Sequence, residues 1–164
     1  MKKILLSITI VSSFLFAGGV KPANDKLFIK ECGSCHFAFQ PGLLPKRSWQ
    51  KMMSNLNNHF ETDASLDDQT RTTLLKYLVQ NSSDNAMEYK RSRRISDSID
   101  PNKTPIRITK TPYFIRKHRE INTKMITQKE VGSISNCTAC HAGAASGDYS
   151  ERAVRIPNYG RYDD

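Results

Sequence analysis

The sequence predicts a mostly α-helical protein with two small lobes, and three observations support this fold class. Apolar residues recur at helical spacing in several short segments, without an alternation of strands and helices. One pattern, Cys-x-x-Cys-His, occurs twice, 105 positions apart. Residues 85–112, between the two copies, contain three prolines and few large apolar side chains. A chain of 164 residues is long enough for one domain or two small ones.

Residues 1–19 have the composition of a secretory signal peptide. Two lysines precede an apolar run of 13 residues, Ile4 to Phe16, and small residues follow it. The run is too short to span a bilayer, which takes about 20 helical residues. We predict cleavage after Ala17 or Gly19 and export to an oxidising compartment such as the bacterial periplasm, with an uncleaved anchor as the alternative.

We predict an N-terminal lobe over residues 20–84. A short helix that begins near Asp25 leads into the first cysteine pair, and a proline-containing loop follows it. Apolar side chains at helical spacing predict a helix over Lys46–Phe60, with His59 at the edge of its apolar stripe. A further helix is expected over Leu66–Gln80, capped by Ser65 together with Asp68.

The remainder is predicted to be a basic linker and a C-terminal lobe. Residues 85–112 are expected to form a linker with extended pieces, because the prolines block long helices. Residues 113–164 form the second lobe, with a helix over Tyr113–Glu120 that could continue to Ile126. A short turn at the second cysteine pair and an irregular tail complete it.

Cys-x-x-Cys-His is the attachment motif of c-type haem. Two thiols three positions apart lie near one face of a helical turn, where they can form thioethers with the two vinyl groups of one porphyrin. The histidine that follows directs its imidazole at the iron. We therefore predict two covalently bound haem c groups, attached through Cys32, Cys35, Cys137 and Cys140, with His36 and His141 as proximal ligands.

Two other chemistries use pairs of cysteines. A zinc site would need two thiolate knuckles, which are poorly protected from oxidation in an exported protein. A thioredoxin-like dithiol would need a βαβ context, which the sequence does not show. Both are therefore minor alternatives.

The remaining histidines, His59 and His118, are the candidates for the sixth ligand of each iron. The chain has four histidines in all, and each lobe supplies one spare, 23 positions from the histidine of its motif. A second imidazole would lower the reduction potential and close the iron to other ligands. Methionine is the competing ligand, and the four that remain after the signal peptide are Met52, Met53, Met87 and Met125.

Positive charge is concentrated in residues 88–119, which contain ten bases and three acids, for a net charge of +7. Arg116, Lys117 and Arg119, beside His118, are candidates to neutralise haem propionates. The rest of the stretch could steer an acidic partner or contact an anionic membrane surface, and a solvated linker is the alternative. Export argues against nucleic acid as the partner.

Aromatic residues near the motifs could form walls for the porphyrins, or they could be ordinary core. They are Phe28, Phe37, Phe39, Trp49 and Phe60 in the first lobe, and Tyr113, Phe114 and Tyr149 in the second. Only 38% of the residues are hydrophobic, which is few for two lobes. Two buried porphyrins would add the missing apolar area, so we expect that the protein without haem is poorly folded.

Over nearly all of the mature chain, the sequence resembles the dihaem cytochrome c family of bacterial electron-transfer proteins. The blocks that carry the resemblance are Glu31–His36, Pro41–Pro45, Arg47–Trp49, Asn58–Phe60, Asp63–Leu66, Ile108–Tyr113, His118–Glu120 and Asn136–His141. The resemblance implies a first lobe similar to small helical cytochromes c, a second lobe with little regular structure, and two bis-histidine haems. It also implies electron flow from a membrane b-type cytochrome to a soluble periplasmic acceptor, such as a haem protein.

The sequence therefore predicts a periplasmic electron carrier that is not an enzyme. The alternative is a dihaem enzyme or gas-binding protein in which one iron keeps an open position. Four histidines for two irons favour the carrier.

Overall fold

The computed structural model describes residues 19–162, so the predicted signal peptide lies outside the described residues, apart from Gly19. The helices are α1 (Lys26–Cys32), α2 (Lys46–Met53), α3 (Asp68–Gln80), α4 (Lys90–Ser98), α5 (Pro112–His118), α6 (Thr123–Thr127) and α7 (Cys137–Cys140). Two short strands, β1 (Arg155–Ile156) and β2 (Gly160–Arg161), pair antiparallel near the C-terminus. The predicted mostly helical fold class is confirmed. None of the helices within residues 19–162 has the length and apolarity needed to cross a membrane.

Helix α1 brings the first cysteine pair to the end of a capped helix, as the sequence predicts. The Asp25 carboxylate accepts a hydrogen bond from the Phe28 backbone N–H at 2.8 Å, which fixes the start of the helix. Phe28 is buried, and it anchors the helix to the core. Cys32 is the last helical residue, so Cys35 and His36 lie in the turn that follows.

Helix α2 ends at Met53, and the predicted extension to Phe60 is wrong. Ser54 and three asparagines follow Met53, and such side chains compete for backbone hydrogen bonds. The Ser54 hydroxyl donates to the Lys51 carbonyl at 2.9 Å. A short 3₁₀ turn then leads to His59, so this histidine lies in a loop and not on a helix.

Helix α3 begins at Asp68, and its cap is Asp67 where the sequence analysis expected Ser65. The Asp67 carboxylate accepts from the Thr70 N–H at 2.9 Å. Ser65 instead donates its backbone N–H to the Asp63 carboxylate at 2.9 Å, in the loop before the helix. Asp67 directly precedes the first helical residue, so its side chain reaches the exposed backbone donors of the first turn.

The expectation of extended pieces alone in residues 85–112 is wrong, because α4 occupies Lys90–Ser98. The prolines lie beyond this helix, so they do not interrupt it. Ser92 and Ile95 form its buried side, and the arginines between them face outward. Pro112 then occupies the first position of α5, where a missing N–H costs nothing. The boundaries of the two lobes stay a prediction.

The predicted helix over Tyr113–Glu120 is shorter in the structure and does not continue to Ile126. Helix α5 ends at His118, and α6 begins anew at Thr123. Asn122 separates them, because its side chain accepts a hydrogen bond from the Lys124 N–H at 2.9 Å and caps α6.

The buried apolar residues form two clusters. The first apolar cluster joins α1, α2 and α3 and comprises Phe28, Leu44, Trp49, Met53, Leu74 and Leu78. The second apolar cluster comprises Val20, Leu43, Ile95, Ile99, Tyr113, Ala144 and Tyr149. The second cluster takes residues from both predicted lobes and from the predicted linker, so it joins the two halves of the chain.

Candidate haem sites

The structure brings the four histidines together as two pairs. The rings of His36 and His59 have centroids 6.1 Å apart with 19° between their planes. The rings of His118 and His141 have centroids 6.2 Å apart with 67° between their planes. Each pair combines the histidine of one motif with the spare histidine predicted for the same lobe.

Both separations suit two imidazoles on opposite sides of a single metal ion. A metal–imidazole nitrogen bond is about 2 Å long, and two such bonds plus the distances from each nitrogen to its ring centre account for about 6 Å. Rings stacked directly on each other would be closer, and rings of unrelated residues would have no reason to share this distance twice. The residues present therefore fit an iron held between the members of each pair.

Backbone carbonyls orient two of the four rings, and backbone hydrogen bonds fix the main chain of a third histidine. His36 Nδ1 lies 2.8 Å from the Phe37 carbonyl oxygen, and His118 Nδ1 lies 2.9 Å from the Phe114 carbonyl oxygen. A hydrogen bond of this kind places the proton on Nδ1 and leaves Nε2 free to bind metal. The His59 N–H and carbonyl both pair with Thr62, which holds the His59 backbone across a tight turn.

The fourth ring, that of His141, has no hydrogen bond at Nδ1, although this nitrogen is buried among the described residues. A buried polar nitrogen without a partner normally indicates a group that the protein alone does not supply. Burial, followed by the charges of His118 and Arg91, lowers the pKa of His141 to about 4. Burial, followed by the charges of His36 and Arg107, likewise lowers the pKa of His59. Both imidazoles are therefore neutral at neutral pH, which is the form that binds metal.

An aromatic ring packs against each histidine. The pairs and their centroid distances are Phe39 with His36 at 5.4 Å, Phe60 with His59 at 4.7 Å, Phe114 with His118 at 3.8 Å, and Tyr149 with His141 at 5.3 Å. Three other aromatics from the predicted set are core residues instead. Phe28 and Trp49 belong to the first apolar cluster, and Tyr113 belongs to the second.

A cleft surrounds the second histidine pair. Cys137, Cys140, His118 and His141 all line it. Its walls are largely aliphatic, with Ile121, Ile126, Val131, Ile134, Val154 and Ile156. By contrast, Cys35 and His36 of the first motif are exposed, so the first site is the more open of the two.

Burial affects the thiols of both motifs. It raises the pKa of Cys32 and of Cys137 to about 11, and it also raises the pKa of Cys140. A protonated thiol is a weaker nucleophile than a thiolate. Within residues 19–162, no group of three or more His, Cys, Asp or Glu side chains is arranged to hold a metal ion. The zinc and dithiol alternatives therefore gain no support from the structure.

None of the four candidate methionines lines the cleft around the second histidine pair. Met53 is buried in the first apolar cluster, and Met52 packs against it. Met87 is exposed, and Met125 is not among the residues that line the cleft.

The basic residues near the sites differ in part from those that the sequence indicated. Lys117 lines the cleft around the second histidine pair, referred to below as the second cleft, and forms an ion pair with Glu151 at 2.6 Å. Arg116 lies over the Tyr113 ring, and Arg119 pairs with Glu120. Instead, Arg91 of α4 lines the cleft beside Lys117. Sequence reasoning missed Arg91 because it treated the whole basic run as part of an extended linker.

Arg107 is a second basic residue that sequence reasoning did not place at a site. Its guanidinium lies 3.9 Å from the centroid of the Phe60 ring. Phe60 and Glu61 both have positive φ, 54° and 74°, which is uncommon for residues with a side chain. This cation–π contact therefore supports the tight turn that follows His59.

Comparisons with known proteins agree with this geometry. Residues 28–149 match the family described as dihaem cytochrome c. The solved diheme cytochrome c from Rhodobacter sphaeroides is 39% identical, with a TM-score of 0.69, and the match covers 79% of this chain and 100% of that chain. The diheme cytochrome type c from Shewanella baltica is also 39% identical, with a TM-score of 0.67, over 84% of this chain and 97% of that chain.

No curated protein is significantly similar to this chain. The family match extends over well more than half of the sequence, and the two solved relatives are covered almost completely. Members of the family are bacterial electron-transfer proteins that are generally extracellular or periplasmic. The chain therefore belongs to the dihaem cytochrome c family and carries two c-type haems.

Proposed function

We propose that the protein is a one-electron relay whose two haem irons are both held by two histidines. His36 and His59 bind the first iron, and His118 and His141 bind the second. Thioethers to Cys32 and Cys35, and to Cys137 and Cys140, attach the two porphyrins. The observation that carries this proposal is the pair of histidine separations, 6.1 and 6.2 Å.

Two imidazoles on each iron leave no position for a substrate or a gas. When bound, each haem supplies an iron that changes between the ferric and ferrous states. The protein positions the histidines in pairs and keeps the imidazoles of His59 and His141 neutral. This arrangement favours a carrier over the alternative, an enzyme or gas-binding protein with one open iron. Binding of carbon monoxide to the reduced wild-type protein would favour that alternative.

Two basic residues of the second cleft would compensate the charge of haem propionates there. Arg91 and Lys117 both line the cleft, on α4 and α5. Arginine and lysine form charge-assisted hydrogen bonds with carboxylates, which would compensate the propionate charges. At the first site, Arg107 acts on His59 and is the basic residue best placed for the same role.

The basic surface formed by α4 and α5 is the proposed docking site for an acidic redox partner. Arg94, Arg116 and Lys117 line a shallow groove, and one acid, Asp97, lines it with them. The groove adjoins the second haem cleft, because Lys117 lines both. The family resemblance suggests a membrane b-type cytochrome as the donor and a soluble haem protein or another periplasmic redox protein as the acceptor. The alternative is that residues 88–119 bind an anionic membrane surface.

We expect that the double variant Arg94→Glu/Arg116→Glu loses electrostatic attraction for anions. At low salt, oxidation of the reduced protein by ferricyanide should slow by about tenfold, and the difference should vanish at high salt. Stopped-flow absorbance of the haem bands measures these rates. The control is Lys124→Glu/Lys129→Glu. It changes the net charge by the same amount, at two exposed lysines that do not line the groove.

Equal slowing in the control would show that only net charge matters and would remove the argument for this docking surface. Co-sedimentation with phosphatidylserine vesicles tests the membrane alternative directly. Binding to the vesicles that depends on Arg94 and Arg116 would favour a lipid surface over an acidic protein.

We also propose that export involves cleavage after Ala17. The Val20 N–H donates to the Gly147 carbonyl at 2.9 Å, and Val20 is 2% exposed. The Gly19 carbonyl accepts from the Arg91 N–H at 3.3 Å. Cleavage after Gly19 would remove that acceptor and place a charged amino group on the buried Val20, which is costly.

We predict that the mature protein begins at Gly18. Intact-mass spectrometry of protein purified from the periplasm measures the first residue directly. The Gly19→Ala variant should be destabilised, because a Cβ at Gly19 would lie 2.2 Å from the Gly147 oxygen. A mature chain that starts at Val20 would contradict the prediction.

A further inference from the structure

Two hydrogen bonds of the buried Gln40 side chain connect the surroundings of the two haem sites. The Tyr149 hydroxyl donates to the Gln40 side-chain carbonyl at 2.6 Å. The Gln40 side-chain amide in turn donates to the Ala144 carbonyl. Gln40 is 1% exposed and Tyr149 is 7% exposed, and they lie 109 positions apart in the sequence.

Each partner in this bond is adjacent to a proposed iron ligand. Gln40 follows Phe39, whose ring lies 5.4 Å from that of His36. The Tyr149 ring meets the His141 ring at 5.3 Å, edge to face, with 63° between the planes. The hydrogen bond between Tyr149 and Gln40 therefore links the environment of the first iron with that of the second.

Further contacts fix Tyr149 in place. Arg91 donates one guanidinium N–H to the Tyr149 carbonyl and another to the Tyr113 hydroxyl, the latter at 2.8 Å. Tyr149 and Tyr113 both belong to the second apolar cluster, and Phe37 and Phe39 pack against that cluster. Polar groups in such a packed region interact strongly, and they are costly to leave unpaired.

We propose that the hydrogen bond between Tyr149 and Gln40 holds the two haem sites at a fixed separation and thereby sets the rate of electron exchange between the irons. This inference rests on the proposed ligation of both irons. In the exchange, one ferrous iron loses an electron and becomes ferric, and the other iron gains that electron and becomes ferrous. No bond forms or breaks and no proton moves. Tyr149 and Gln40 are positioning residues, and neither is oxidised.

The test uses the intact dihaem protein and the variant Tyr149→Phe. This change keeps the ring beside His141 and removes only the hydroxyl, which leaves the Gln40 carbonyl buried without its partner. The readout is the exchange rate between haems in half-reduced protein, from line widths of the haem methyl signals in NMR. Optical spectra, both reduction potentials and the denaturation midpoint are recorded on the same samples.

We expect several-fold slower exchange in Tyr149→Phe, with both haems still low-spin. Gln40→Leu, which also removes the hydrogen bond to the Ala144 carbonyl, should slow exchange at least as much, and the double variant should be no slower than Gln40→Leu. The matched control is Tyr159→Phe, at a tyrosine that is 50% exposed, and it should leave the exchange rate unchanged.

An unchanged exchange rate in Tyr149→Phe, together with a lower denaturation midpoint, would overturn the proposal and leave the bond a purely structural role. Additive slowing in the double variant would also overturn it, because the two residues would then act independently. Failure of the ligation proposal would appear differently, as a high-spin haem in the wild-type protein before any substitution is made. Gln40→Leu keeps the test valid if Tyr149→Phe cannot be isolated.

Discussion

Replacement of His118 by alanine should open the second iron to carbon monoxide. We expect the reduced variant to bind about one equivalent of carbon monoxide per protein and to show one high-spin and one low-spin haem. The physical reason is that His118 and His141 face each other at 6.2 Å, so removal of one imidazole leaves one axial position empty. His59→Ala should produce the same change at the first iron. Optical and electron paramagnetic resonance spectra measure both effects.

Met125→Leu is the matched control for this prediction. Met125 lies in the same part of the chain, it was an alternative ligand on sequence grounds, and it does not line the cleft. The substitution should leave both spectra as in the wild type. The assignment of His118 would be contradicted if both haems stayed low-spin in His118→Ala while the spectrum of Met125→Leu changed.

Loss of the second haem should destabilise the protein more than loss of the first. In the variant Cys137→Ser/Cys140→Ser we expect a mass lower by one haem and a free energy of unfolding lower by about 4 kcal/mol or more, in the range of a lost structural metal. Any group that binds only the folded state stabilises that state. The aliphatic side chains around the second cleft face this haem, so without it they lose their main apolar contact.

Cys32→Ser/Cys35→Ser provides the comparison at the first site. That site adjoins the first apolar cluster, in which six buried side chains from α1 to α3 pack without any cofactor. We therefore expect a smaller loss of stability in this variant. Denaturant titration followed by far-ultraviolet circular dichroism measures both values. A larger loss in the first-site variant would contradict this account of the two cores.

The sequence was sufficient to predict the chemistry of the sites, because the attachment motif is local and each position in it has a physical reason. It also predicted the pairing of His36 with His59 and of His118 with His141, which the structure brings to within about 6 Å. Counting histidines supplied two ligands for each iron, and the assignment of each spare histidine to its own lobe was an added assumption that the count does not decide. Roles as ligands stay predictions until spectra assign them.

Local sequence patterns did not predict three features of the structure: the cap of α3, helix α4 and the contact between Gln40 and Tyr149. Ser65 and Asp67 both qualify as helix caps, and only the position of the first helical residue distinguishes them. Helix α4 was missed because Ile95 is its one buried apolar side chain and it follows a strongly basic run. Gln40 and Tyr149 are 109 positions apart in the sequence, and a local periodicity cannot predict a contact between residues so far apart.

The ligation of both irons by two histidines is the central claim, and spectroscopy of the wild-type protein tests it most directly. Purified dihaem protein should be examined by optical and low-temperature electron paramagnetic resonance spectroscopy, oxidised and reduced, with and without carbon monoxide. We predict two low-spin haems, and a reduced spectrum that carbon monoxide does not change. A high-spin haem that binds carbon monoxide in the wild type would contradict the carrier function and indicate an iron open to substrate or gas.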